Sequence, residues 1–186
     1  LHVMSRRQRQ MCIRDSNLSP SSNKETYEGI NPATEEVLGH ASKATPADVD
    51  RALKSAEKGV AIWIKTPPGQ RAYTLRKIAD KVREKKDVLA RWMTLENGKP
   101  LAEGVGETHG AADIFEWNAE ETKRIYGQIV ESRFEDTRVH VYYQPIGVVA
   151  ALSPWNFPLV LAARKISTAL AAGCSVIIKP DTITPG

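Results

Sequence analysis

The sequence predicts an α/β fold containing the start of a doubly wound parallel sheet. Two apolar runs, residues 146–152 and 174–179, flank an amphipathic segment at 158–172, the pattern of a strand, a right-handed crossover helix and a parallel strand. The front part of the chain carries apolar positions at helical spacing. Between the two lies a stretch of strict alternation, residues 127–143, which reads as a hairpin.

Residues 1–24 are rich in Arg, Gln, Ser and Asn and show no periodicity, so they bury too little apolar surface to order themselves. A disordered leader is expected there. Gln10 to Ser16 resembles the translation of sequencing-adapter DNA, which makes the leader non-native; a natural basic arm is the alternative. Glu36 to Ala41 reads as a short strand. Thr45 then caps a helix with Pro46 at its first position and Asp48 near its positive end. Val49, Ala52, Leu53, Ala56 and Val60 recur at three-to-four spacing, so that face is expected in the core.

Pro67-Pro68-Gly69 breaks the chain. Leu75, Ile78, Ala79, Val82, Val88, Leu89, Trp92 and Leu95 give further helical stripes, closed by Asn97-Gly98, and another long helix is expected from Glu103 to about Arg124. In the hairpin, Glu135-Asp136-Thr137 is the turn. The resulting division is a leader over 1–24, a helical part over 25–126, a hairpin over 127–144 and the incomplete start of a parallel-sheet domain over 145–186.

The formal charge of +4 is local: Arg6, Arg7, Arg9 and Arg14 against Asp15 leave +3 in residues 1–16 and +1 in the rest. No basic stripe with interleaved aromatics exists, which argues against nucleic acid as a partner. Two cysteines, Cys12 and Cys174, form neither a disulfide framework nor a metal spacing. No run reaches the roughly 18 apolar residues of a membrane span, and no signal sequence follows Arg6-Arg7. The default location is cytoplasmic.

Pro154-Trp155-Asn156-Phe157-Pro158 stands where the first apolar run hands over to the helix, the crevice position at which α/β sheets bind ligands. Asn156 between two prolines has two readings, a helix N-cap and a preorganised donor for a developing oxyanion, and the residues alone favour the cap. Lys179-Pro180 ends the second run, so Lys179 projects from the carboxyl end of a strand. Two features imitate sites and are rejected. Gly104 to Gly110 has the wrong spacing for a dinucleotide loop and follows no strand. Cys174 enters a buried strand, where a thiolate is disfavoured.

The stretch QPIGVVAALSPWNFPLVLAARKISTALAAGCSVIIKPDTITP, residues 144–185, resembles the signature region of the aldehyde dehydrogenase superfamily, closest to its succinate-semialdehyde dehydrogenase-like branch. The likeness runs back through Phe115-Glu116-Trp117-Asn118-Ala119-Glu120-Glu121, Glu96-Asn97-Gly98-Lys99-Pro100, Arg71, Trp63 and Asn31-Pro32-Ala33-Thr34-Glu35. The resemblance implies that this is the N-terminal part of a longer NAD- or NADP-dependent enzyme that oxidises a short carboxylated semialdehyde through a cysteine thioester. It implies a Rossmann-like cofactor domain and a hairpin that serves as an oligomerisation arm; an intramolecular edge hairpin is the alternative.

The same resemblance makes Asn156 the catalytic oxyanion donor and lines the cofactor cleft with Leu152, Ser153, Pro154 and Trp155, although Trp155 suits the core equally well. It gives Lys179 to the cofactor's ribose. Arg164, two helical turns beyond Asn156 and so expected on the same face, matches the semialdehyde branch and suits a substrate carboxylate. Thr182 replaces the acid of a common Lys-Pro-X-Glu pattern, which leans toward NADP, with Asp181 expected on the opposite face by strand alternation. The nucleophilic cysteine, the general-base glutamate and the glycine-rich loop are expected beyond residue 186, so this stretch alone is expected inactive and marginally stable. An enzyme for an uncharged aldehyde and a non-catalytic assembly module are the competing readings. No metal is expected.

Overall fold

The computed structural model describes residues 12–14 and 17–186. Strand β1 (Cys12–Arg14) pairs antiparallel with β2 (Asn17–Ser19). Of the leader expected over 1–24, residues 1–11 and 15–16 lie outside the described residues. Its far end is built into the fold, because Ser21 is buried and the Ser22 amide donates to Asp48 Oδ1 at 3.1 Å.

The strand expected over Glu36 to Ala41 is present, and periodicity missed only its partner. Strand β3 (Thr26–Ile30) pairs antiparallel with β4 (Val37–Ser42), with a bulge between Gly29 and Ile30. Asn31 closes its turn by accepting the Ala33 amide on Oδ1 at 2.9 Å while its own amide donates to the Glu36 carbonyl at 2.9 Å. The polar pattern of Thr26-Tyr27-Glu28 hides this strand from a reading based on apolar alternation.

Helix α1 (Pro46–Trp63) begins as expected. The Asp48 amide donates to Thr45 Oγ1 at 3.3 Å and the Thr45 amide returns to Asp48 Oδ2 at 2.8 Å, a reciprocal capping box. Its expected core face is corrected: Val49 and Leu53 remain 55% and 41% exposed. Helix α1 meets the parallel strands described below near Ala56 and Gly59, where Ser175 Oγ donates to the Ala56 carbonyl at 2.8 Å. At the far end of α1, Trp63 Nε1 donates to the Leu170 carbonyl at 2.8 Å.

Helices α2 (Pro68–Glu84) and α3 (Lys86–Asn97) are separated at Lys85, and Gly98 stops α3 with φ 81°, a left-handed value that glycine adopts without strain. Helix α4 (Leu101–Glu121) runs into a single 3₁₀ turn, Thr122–Arg124. The core is a three-helix contact: Ala72, Leu75 and Ala79 of α2 meet Ala111, Ala112, Phe115 and Ala119 of α4 and Ala163 and Ala171 of the later helix α5 (Pro158–Ala171). Alanines on all three let the axes approach closely. The rejected glycine motif lies inside α4, and Gly104 serves packing, since a Cβ there would stand 2.9 Å from the Ala90 carbonyl oxygen.

Strands β5 (Gln128–Glu131) and β6 (Arg138–Val141) form the expected hairpin, Gln128 opposite Val141 and Glu131 opposite Arg138. Neighbouring Ile129 and Val130 point to opposite faces, and both are exposed. Strand β7 (Val148–Leu152), α5 and β8 (Ser175–Lys179) complete the predicted unit, parallel and in register from Val148 opposite Ser175 to Leu152 opposite Lys179. Cys174 is buried, in keeping with its structural reading.

Candidate active site

The parallel register brings the carboxyl ends of β7 and β8 together, and the Ser153 amide extends the ladder by donating to the Lys179 carbonyl at 3.1 Å. Ser153 is buried, and its hydroxyl donates to the Pro158 carbonyl at 3.2 Å across the turn. Leu152, Pro154, Trp155 and Asn156 are exposed. Trp155 therefore is not core. Its carbonyl accepts Asn97 Nδ2 at 2.6 Å.

The helix-cap reading of Asn156 is corrected. The cap of α5 is Phe157, with no side-chain cap bond, and the Asn156 side chain makes no hydrogen bond to any described residue. Its amide is free to donate. The Asn156 main chain, by contrast, is held: its carbonyl accepts Lys99 Nζ at 3.0 Å.

Lys99 and Glu107 form a feature that the sequence reading missed. Lys99 Nζ pairs with Glu107 Oε2 between side chains 6% and 1% exposed, and the ammonium lies 4.6 Å over the Phe157 ring. The other carboxylate oxygen, Oε1, accepts the amides of Leu159 at 2.9 Å and Val160 at 3.1 Å. Glu107 thus satisfies from α4 the first-turn amides of α5, where negative charge is favoured. The available signal was an acid on the small and apolar stripe of α4, between Gly104 and Ala111, with a lysine eight positions before it.

Arg164 is exposed on α5, and its side chain has no partner among the described residues. The helix starts at Pro158, so the helical phase that put Arg164 on the face of Asn156 does not extend back through the turn. Lys179, the last residue of β8, and Thr182, beyond the strand end, are exposed. Asp181 departs from expectation because β8 stops at Lys179 and alternation stops with it. Its Oδ1 accepts the Ile183 amide at 3.0 Å and the Thr182 hydroxyl at 3.5 Å. Burial, followed by the nearby Glu96 and Asp181 carboxylates, pushes the Tyr27 phenol up. Among the described residues no cluster of three His, Cys, Asp or Glu side chains could hold a metal, and no helix is long and apolar enough to cross a membrane.

Residues 19–186 match the model of the aldehyde dehydrogenase family. The chain belongs to this family. It is 44% identical over 177 residues to the glutarate-semialdehyde dehydrogenase of Pseudomonas aeruginosa, covering 95% of this chain and 37% of that protein. It is 41% identical to the NADP(+) succinate-semialdehyde dehydrogenase GabD of Escherichia coli strain K12, with the same two coverages. A betaine aldehyde dehydrogenase of Staphylococcus aureus solved in complex with NAD+ superposes with a TM-score of 0.90 at 35% identity, over 96% of this chain and 36% of that one. The chain thus spans little more than a third of these aldehyde dehydrogenases. Within it, the turn between β7 and α5 gathers Asn156 with the ends of both parallel strands, while Arg164 stands further along the helix.

Proposed function

We propose that this chain is the N-terminal part of an NAD(P)-dependent aldehyde dehydrogenase that oxidises a short carboxylated semialdehyde to the acid, with Asn156 as oxyanion donor. The supporting observation is the state of Asn156: an exposed side-chain amide with no internal partner, on a main chain fixed by Lys99. A thiolate adding to an aldehyde carbonyl moves an electron pair onto oxygen, and an N–H donor held beside that oxygen is worth about 2.7–4 kcal/mol of barrier. The thiolate and the general base come from residues beyond Gly186, so residues 1–186 alone are inactive.

The strand ends fit a dinucleotide. Lys179 offers an uncommitted ammonium at the end of β8, Thr182 an exposed hydroxyl, and Leu152, Pro154 and Trp155 an exposed apolar edge around the buried Ser153. When bound there, the cofactor supplies the hydride acceptor. Lys179 would hold its ribose, with NAD and NADP both carried by relatives. Arg164, uncommitted and exposed, is the candidate for the substrate carboxylate, in keeping with the glutarate- and succinate-semialdehyde names of the relatives. The β5–β6 hairpin, which exposes Val130 and Val139 on one face and Ile129 on the other, is the candidate subunit contact.

The test is Asn156→Ala in the full-length protein. Loss of about 10²–10³ in kcat on succinate semialdehyde is expected, with KM little changed. An unchanged kcat ends the oxyanion reading, and a wild-type protein that oxidises no semialdehyde ends the assignment.

A further inference from the structure

We infer that the buried Lys99–Glu107 pair is a positioning device that fixes the Asn156 donor from outside its own turn, an inference that rests on the oxyanion reading above. Desolvating an ammonium and a carboxylate is costly, and apolar side chains of similar volume would join α4 to α5 at least as firmly. Each charge, however, makes bonds that a hydrocarbon cannot make. Lys99 Nζ holds the Asn156 carbonyl, and Glu107 Oε1 holds the Leu159 and Val160 amides. Asn97 Nδ2 holds the Trp155 carbonyl on the preceding side.

The peptide groups before and after the Asn156 Cα are therefore both tied to the segment 97–99, and the helix that follows is tied to Glu107. The side chain itself is left unbonded. An oxyanion donor keeps its worth only when held within about 0.5 Å of its productive place, and a donor without internal partners takes that precision from its backbone. Gly98 makes the clamp: its left-handed φ of 81° reverses the chain between Asn97 and Lys99, and a Cβ there would stand 3.0 Å from Pro32 Cγ. No bond from Lys99 or Glu107 ends on the Asn156 side chain, so both act through the main chain.

The deciding experiment is a double-mutant cycle in the full-length enzyme. Lys99→Met alone strands a buried carboxylate and threatens folding, so the variant used is Lys99→Met/Glu107→Gln, which removes both charges, keeps the volumes and leaves an acceptor for the α5 amides. Its kcat on succinate semialdehyde is expected to fall about 10- to 100-fold, with KM within about twofold and Tm within a few degrees of wild type. In an Asn156→Ala background the same double change is expected to cost no more than about twofold, because the donor it positions is gone. Unchanged kcat, losses that multiply across the two backgrounds, or a loss accompanied by a collapsed melting transition each overturn the inference. If Asn156→Ala is itself silent, the oxyanion reading falls and takes the inference with it. If Asn156→Ala is crippling while the double variant is silent, the inference falls alone.

Discussion

The Ser153 amide donates to the Lys179 carbonyl at 3.1 Å, which locks the end of β8 to the start of the turn that carries Asn156. The main chain of Lys179 is therefore structural while its side chain is uncommitted. Lys179→Met in the full-length enzyme should raise KM for the dinucleotide about tenfold or more, the loss of charge-assisted hydrogen bonds worth about 1.5–3 kcal/mol, with Tm unchanged. Initial rates against cofactor concentration measure it.

Asp181 lies against Thr182, which puts a carboxylate beside the residues proposed to hold the cofactor's ribose. A 2′-phosphate is repelled by that charge and a 2′-hydroxyl is not. Asp181→Asn is expected to shift the ratio of kcat/KM for NADP over NAD upward by about three- to tenfold, an effect of roughly 1 kcal/mol for a solvent-exposed charge pair. Equal responses of the two cofactors would separate Asp181 from the site.

Arg164→Gln tests the substrate carboxylate. The exposed guanidinium has no internal role to lose, so folding should be unaffected. KM for succinate semialdehyde should rise about tenfold or more, and KM for an uncharged aldehyde of the same length should stay within about twofold. Parallel kinetics on the two substrates decide it.

Gly173 ends α5 with φ 89°, and a Cβ there would collide with the Arg71 guanidinium and approach Pro145 Cγ to 2.9 Å. Arg71 is buried, which limits the room its guanidinium has to give way. Gly173→Ala is expected to destabilise by about 2 kcal/mol or more through left-handed strain and overlap, read as a lower thermal midpoint.

The Asp48 carboxyl is held well below the usual carboxylate range, first by the Thr45 amide and then by the Thr45 hydroxyl, the Ser22 amide and Arg51. A depressed folded value means that the contribution is complete above about pH 5, where the unfolded carboxyl is ionised, and drains away as the pH falls from there toward the folded value. The difference in melting temperature between wild type and Asp48→Asn should be constant from pH 8 to pH 5 and narrow steadily below pH 4.

Where a local rule applies, sequence and structure agree: Thr45 caps, Gly98 stops a helix, and 148–152 and 175–179 pair in parallel around α5. These features depend on a few neighbouring residues. The failures have non-local causes. Val49 and Leu53 have the right spacing for burial, but burial needs a facing element, which spacing along one helix does not report. The Lys99–Glu107 pair was invisible because its meaning lies in Asn156, Leu159 and Val160, more than fifty positions away. Asp181 was misassigned by extending strand alternation two residues past the strand.

Ser22 holds the first turn of α1 through Asp48, but the bonds that fasten the rest of the helix join residues separated by 107 positions, Trp63 to Leu170, and by 119, Ser175 to Ala56. During synthesis this helix therefore waits, undocked, until most of the segment has left the ribosome, while α2, α3 and α4 find one another sooner through nearer neighbours. Nascent chains arrested before Leu170 emerges should be nicked by protease within 46–63 and spared within 101–121.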